Sequence, residues 1–159
     1  MQAPKSPTEE TPVDARRPRV DSVERALAQV GDAWTFLILR EAFFGERRFD
    51  AFQKNLGAAP TIITDRLKKL VAYGILERRA YSERPPRFEY RLTDKGMDLY
   101  PAIVMMMQWG NRWLAGGAGP PLELVHRTCG SRSEPKVVCD ACGGEVAARD
   151  MDWRPGPGA

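Results

Sequence analysis

The sequence predicts a mainly α-helical fold with one small β-hairpin. Three observations predict it. Apolar residues recur at spacings of three and four between Val23 and Leu70, the periodicity of helices with one buried face. Glycines at positions 31, 45, 57 and 74 cut that stretch into four short helices. Phe88, Tyr90 and Leu92 then alternate with Glu89 and Arg91, as in a half-buried strand.

Residues 1–20, with Pro4, Pro7, Pro12 and Pro18 among charged neighbours, read as a disordered arm. Asp21 or Ser22 caps a first helix with Val23, Leu27 and Val30 as its apolar positions. After Gly31, a second and strongly apolar helix runs through Trp34, Leu37, Ile38, Glu41 and Ala42 to its end at Gly45. Arg47 to Leu56 is a short helix with Phe49 and Phe52 on one side and Arg48, Gln53 and Lys54 elsewhere. Pro60 stands in the first turn of a fourth helix, where its missing N–H costs nothing. In that helix Ile63, Leu67 and Leu70 share one face, while Thr61, Thr64, Asp65 and Lys68 fall on the other. Ile75–Tyr81 and Phe88–Leu92 are the two strands, joined by the loop Ser82–Arg87, stiffened by prolines and exposing its arginines. Thr93 caps a long last helix from Asp94 to about Leu114. Residues 21–115 thus form one domain, 116–122 a Gly- and Pro-rich hinge, 123–150 a small separate module, and 151–159 a disordered tail.

Two helices joined by a tight glycine-containing turn and followed by a hairpin make the winged helix-turn-helix plan. It has a three-helix core, a two-stranded wing and a long C-terminal dimerisation helix. The charge distribution agrees. Between Arg40 and Lys95 there are 13 Lys and Arg against 8 Asp and Glu, a local excess of five in a chain of net charge +3. A basic middle segment suits a polyanion, although a solvated charged surface would give the same count. A major groove about 12 Å wide admits one helix, which then needs a core face and a polar face. The segment from Thr61 to Lys69 has both. Thr61, Thr64, Arg66 and Lys68 can reach bases or phosphates, whereas Asp65 repels phosphate and serves instead by accepting from cytosine or orienting Arg66 or Lys69. Arg84 and Arg87 on the hairpin can reach the minor groove or the backbone, and Arg48 and Lys54 can contact phosphates. Three helices and a hairpin also build protein-interaction domains that never touch DNA.

The run Val23-Glu24-Arg25-Ala26-Leu27, followed by Gly31-Asp32-Ala33-Trp34-Thr35-Phe36-Leu37-Ile38-Leu39-Arg40-Glu41, resembles the opening of HxlR-type transcription regulators. The similarity continues through Arg47-Arg48-Phe49, Asp65-Arg66-Leu67, Tyr73-Gly74-Ile75-Leu76, Pro85-Pro86-Arg87-Phe88-Glu89-Tyr90 and Leu92-Thr93-Asp94-Lys95-Gly96, and covers residues 21–114. The resemblance implies a homodimeric repressor or activator of a nearby operon, bound to a palindromic operator in double-stranded DNA. It makes residues 59–73 the recognition helix and 82–87 the wing, and assigns the dimer to the first and last helices. Several members of that family sense electrophiles or oxidants through a cysteine just before the Val-Glu-Arg-Ala run. Val20-Asp21-Ser22 holds no sulfur, so sensing at that position is not expected. Ala33 stands where a basic residue often precedes the tryptophan, so a phosphate contact there is missing.

The run Ile103–Met107 is apolar all round, and such a helix must be covered on more than one side. Ordinary core plus a dimer interface explains it. The alternative is a small hydrophobic effector lodged among Met105, Met106, Trp109 and Trp113, using the adaptability of methionine.

Beyond the hinge, His126-x-x-Cys129-Gly130 and Cys139-x-x-Cys142-Gly143 use the only histidine and all three cysteines of the chain. Two chelating pairs on a short connection form a zinc-ribbon-like arrangement, and a Cys3His set with no open position is structural. Thiols that sense oxidants, or four residues with no metal, are the other readings.

No stretch approaches the roughly 20 apolar residues that span a bilayer, and the proline-rich start lacks the apolar core of a signal peptide. Three cysteines, an odd number, do not suggest a disulfide framework, so a reducing cytoplasm is expected. With no phosphate-cradling glycine loop and no nucleophile elbow, the chain is not expected to be an enzyme. The competing class is a protein-interaction adaptor of the transcription machinery, acting through the zinc-ribbon-like module.

Overall fold

The structure is a computed structural model and describes residues 22–152, 154, 156 and 157. The arm expected over 1–20, the capping candidate Asp21 and part of the tail expected over 151–159 lie outside the described residues.

Four helices come first: α1 (Ser22–Val30), α2 (Ala33–Phe43), α3 (Phe49–Leu56) and α4 (Pro60–Ala72). They lead into the antiparallel pair β1 (Leu76–Glu83) and β2 (Pro86–Leu92). Ile38 and Leu39 of α2, Phe52 of α3, Ile63, Leu67 and Leu70 of α4, and Ile75 and Leu76 entering β1 are each at most 1% exposed. These side chains form one cluster, and burial of each stabilises the fold by about 1.5–3 kcal/mol. Spacings of four and three bring Ile63, Leu67 and Leu70 onto a single face of α4, so its remaining positions point away from the core.

Each helix end has a local cause. Asp32 caps α2 by accepting from the Thr35 N–H at 3.1 Å. Gly57 closes α3 with φ +62, a conformation that side chains resist, while its N–H donates to the Gln53 carbonyl at 2.9 Å. That single residue makes the turn between α3 and α4 short. The Glu41 carboxylate is 8% exposed and is satisfied by Arg40 and by the Asn55 amide, which donates at 2.9 Å. It thereby ties α2 to the end of α3.

The hairpin register runs from Leu76↔Leu92 to Glu83↔Pro86. Pairing continues further than the sequence suggests, so most of the expected loop Ser82–Arg87 is strand and only Arg84 and Pro85 form the tip. Tyr90 and Leu92 pack against the core, as alternation requires.

The last helix is broken. The sequence suggests one helix from Asp94 to about Leu114, but the chain forms α5 (Asp94–Met97) and then α6 (Tyr100–Leu114). Pro101 is the reason: it sits at the start of α6, offers no N–H, and its ring would clash with the carbonyl of Met97 in a continuous helix. The α5 turn is pinned by Thr93, whose hydroxyl donates to the Gly74 carbonyl at 2.6 Å and accepts from the Gly96 N–H at 3.1 Å. A Cβ on Gly96 would lie 2.3 Å from the Ile75 carbonyl oxygen, a backbone atom that cannot step aside. Gly96→Ala is therefore expected to destabilise the domain by about 1–3 kcal/mol, lowering the urea midpoint at unchanged slope.

Past a short 3-10 turn at Gly116–Ala118 come β3 (Leu124–Val125) and β4 (Arg132–Ser133), paired antiparallel. A second small hairpin follows, marked by the bridge Val138↔Glu145 and by the Val146 N–H donating to the Val137 carbonyl at 3.0 Å. No described residue from Pro121 to Asp152 is buried.

Candidate nucleic-acid interface

The outward face of α4 is open. Thr61, Asp65 and Lys68 are exposed, and Thr64 is half-buried beside them. No side chain caps the N-terminus of α4, where Pro60 begins the helix and the Ile62 and Ile63 N–H groups both turn to the Ala59 carbonyl, at 3.0 and 3.2 Å. Lys54 is exposed in the last turn of α3. Arg84 and Arg87 are exposed at the far end of the hairpin, whose tip is closed by the Ser82 hydroxyl donating to the Pro85 carbonyl at 3.0 Å. Among the described residues none of Lys54, Lys68, Arg84 and Arg87 is engaged in an ion pair.

Two of the anticipated contact residues have other duties. Arg48 is exposed, but its guanidinium lies over the Tyr81 ring, 4.7 Å from the centroid, and its backbone bridges Glu89. Tyr81 has no cross-strand partner because the register shifts between Ala80 and Ser82, which leaves its ring available to Arg48. This contact ties the wing to the start of α3. Arg66 turns away from the α4 outer face and grips Asp32, with Nε at 2.8 Å from Oδ1 and a terminal nitrogen 3.1 Å from Oδ2. Such a fork on a carboxylate fixes geometry as well as charge. Asp65 does not hold Arg66 by hydrogen bond, although its charge adds to that of Asp32 in favouring the cation.

The Asp32–Arg66 clamp joins the start of α2 to the middle of α4 across 34 positions, and it sets where the α4 outer face stands. Sequence reasoning misses it. Gly31-Asp32 signals a helix cap, yet nothing in the chain announces a partner so distant. Arg66 holds the Asp32 carboxyl below the usual range, helped by the Thr35 N–H and opposed by partial burial. A depressed carboxyl contributes stability above its ordinary pKa and loses it as pH falls through the folded value. The wild type should therefore weaken below about pH 4, and Asp32→Asn, which keeps the cap, should remove that part of the acid sensitivity. Urea midpoints compared between pH 3 and pH 6 check this, and parallel profiles would count against the clamp.

The residues considered for an effector or interface divide. Met106, Trp109 and Trp113 are 56%, 59% and 67% exposed along one stripe of α6, while Met105 is half-buried. Val23 and Leu27 of α1 are likewise 64% and 54% exposed, so only Val30 of that helix faces the core. A groove of about 380 Å³ runs between α2 and α6, lined by Phe36, Leu37, Phe43, Tyr100, Ile103 and Met106 among others. Met106 is the only one of the four anticipated residues on its wall.

The anticipated metal ligands meet two by two. His126 Nδ1 lies 3.4 Å from Cys129 Sγ, and Cys139 and Cys142 stand at the first and fourth positions of the second turn, which the Gly143 N–H closes onto the Cys139 carbonyl. Among the described residues no three His, Cys, Asp or Glu side chains converge to hold an ion. Each pair is fixed by its own turn, whereas the distance between pairs depends on hairpin packing that no buried side chain sets.

No helix among the described residues is long and apolar enough to cross a membrane. Residues 29–117 match the family model described as HxlR-like helix-turn-helix. The uncharacterized HTH-type transcriptional regulator Rv3095 of Mycobacterium tuberculosis is 50% identical over 138 residues, 87% of each chain. A match of that length must extend at least 21 residues beyond Gly117, into the tail. Among solved structures, PA1607, a proposed transcription factor, superposes with TM-score 0.77 at 36% identity over 86% of this chain and 95% of its own. PA1374 of Pseudomonas aeruginosa, also a proposed transcription factor, gives 0.62 at 39% identity over 85% and 92%. An open helical face behind a short turn, a flanking two-stranded wing and these matches lead to one conclusion: the chain belongs to the HxlR-like helix-turn-helix family.

Proposed function

We propose that this protein is a transcription regulator that binds double-stranded DNA sequence-specifically, as a homodimer on a palindromic operator. The observation that carries the reading is the outward face of α4, which no other part of the described chain covers, next to an uncapped helix start. Thr61, Thr64 and Lys68 enter the major groove, Lys54 holds phosphate, and Arg84 and Arg87 follow the backbone or the minor groove alongside. Arg66 positions the helix and does not read bases. The family points to regulation and not to catalysis.

Recovery of bound fragments from genomic DNA should yield one palindrome, and affinity for it should fall steeply with salt. Salt-insensitive binding with no enriched palindrome would overturn the reading in favour of a protein-interaction adaptor.

The second protomer covers the stripe Met106, Trp109 and Trp113 together with Val23 and Leu27. Large apolar side chains more than half exposed, two on α1 and three on α6, are the mark of an interface. Trp109→Glu is expected to give a monomer by light scattering, with operator affinity reduced by about 100-fold or more because one half-site is lost. A small hydrophobic effector fits the groove between α2 and α6, whose size lies in the usual range for such ligands and whose lining is mainly apolar, with Arg40, Tyr100 and Asn111 as its polar side chains.

A further inference from the structure

The tail contains one turn built twice. In the first copy the Gly130 N–H donates to the His126 carbonyl at 2.8 Å, and the His126 N–H to the Ser131 carbonyl at 2.9 Å. In the second the Gly143 N–H donates to the Cys139 carbonyl at 2.8 Å, and the Cys139 N–H to the Gly144 carbonyl at 2.8 Å. Gly130 and Gly143 take the left-handed conformation at the same place, with φ +70 and +73. Residues 126–131 and 139–144 therefore share a backbone, and each presents its two donors at the first and fourth positions.

Among the described residues, these turns rest on short strand pairing and on a half-buried contact of Leu124 and Ser133 beside α6. No described residue between Pro121 and Asp152 is buried. The ion pairs of Arg132 with Glu123 and Glu134, and of Lys136 with Glu145, are exposed and weak. A unit of fewer than about 40 residues without a core usually depends on a disulfide, a metal or a partner.

We propose that the two turns are halves of a structural Zn2+ site, with His126, Cys129, Cys139 and Cys142 binding one ion and no water coordinated. Three thiolates and one imidazole form a donor set suited to zinc and leave no position for catalysis. The bound ion draws the two hairpin tips together, and each thiol that ligates releases its proton to solvent. A disulfide between Cys139 and Cys142 would use only the second turn and leave the matching turn at His126 and Cys129 unexplained. The proposal is independent of DNA binding, and its test reads metal directly.

The full chain is purified under reducing conditions, assayed for bound metal, and reconstituted with Co2+ as a spectroscopic probe. About one zinc per chain is expected, with the visible bands of tetrahedral cobalt and thiolate-to-cobalt charge transfer. Cys129→Ser and Cys142→Ser, one from each turn, should each release most of the zinc and render residues 123–150 protease-sensitive. The thermal transition of the helical domain should stay in place, which separates metal loss from misfolding. Zinc below roughly half an equivalent after reconstitution would overturn the site. So would full zinc in Cys129→Ser, or a Cys139–Cys142 disulfide in reduced preparations that carry no metal.

Discussion

Thr61→Asp combined with Lys68→Glu is expected to weaken operator binding by at least about 100-fold, with the protein still folded. Both positions are exposed on α4, and the core contacts of that helix, made by Ile63, Leu67 and Leu70, are untouched. An acidic residue in the first turn suits the helix dipole, so Thr61→Asp should leave helix stability intact. At the DNA the changes act in one direction. Each lost contact costs about 1–3 kcal/mol, and each new carboxylate meets phosphate across a groove of low dielectric. Lys68→Glu alone should weaken all sequences to a similar extent and lower the salt slope by about one phosphate contact. Fluorescence anisotropy on operator and scrambled duplexes over a salt series separates these effects. Wild-type affinity in the double variant would remove α4 from the groove.

The largest effect on stability is expected from Phe52→Ala. Phe52 is fully buried at the centre of the cluster, where α3 meets α2 and α4. Truncation removes the ring and leaves a cavity that rigid neighbours close only in part, at a cost of about 3–5 kcal/mol. For a domain of this size that is a fall in Tm of about 12 °C or more. Phe52→Leu should recover most of the loss. The comparison must be made at one protein concentration, because a dimer shifts Tm by mass action. A fall of only a few degrees would mean that α3 is not anchored through this ring.

Both expectations follow from features visible in the chain to different degrees. Periodicity alone placed Ile63, Leu67 and Leu70 inward and Thr61 and Lys68 outward, because side-chain direction along a helix is a local property. Gly57 and Gly74 marked the ends of α3 and α4 for the same reason. The break between α5 and α6 was also written locally, in Pro101, but the apolar pattern on both sides of it masked the stop. Arg66 shows the opposite case. Its place in the middle of α4 suggests a base contact, and only the approach of Asp32 from 34 positions away redirects it.

The sequence by itself determined the helical plan, the wing, the family and the two donor pairs of the tail, because each depends on residues within one or two turns of one another. Tertiary structure decided which basic residues remain available to DNA, where the apolar groove opens, and which faces of α1 and α6 are left uncovered. Those outcomes depend on how separate elements pack, and packing brings together side chains whose spacing along the chain carries no trace of the contact.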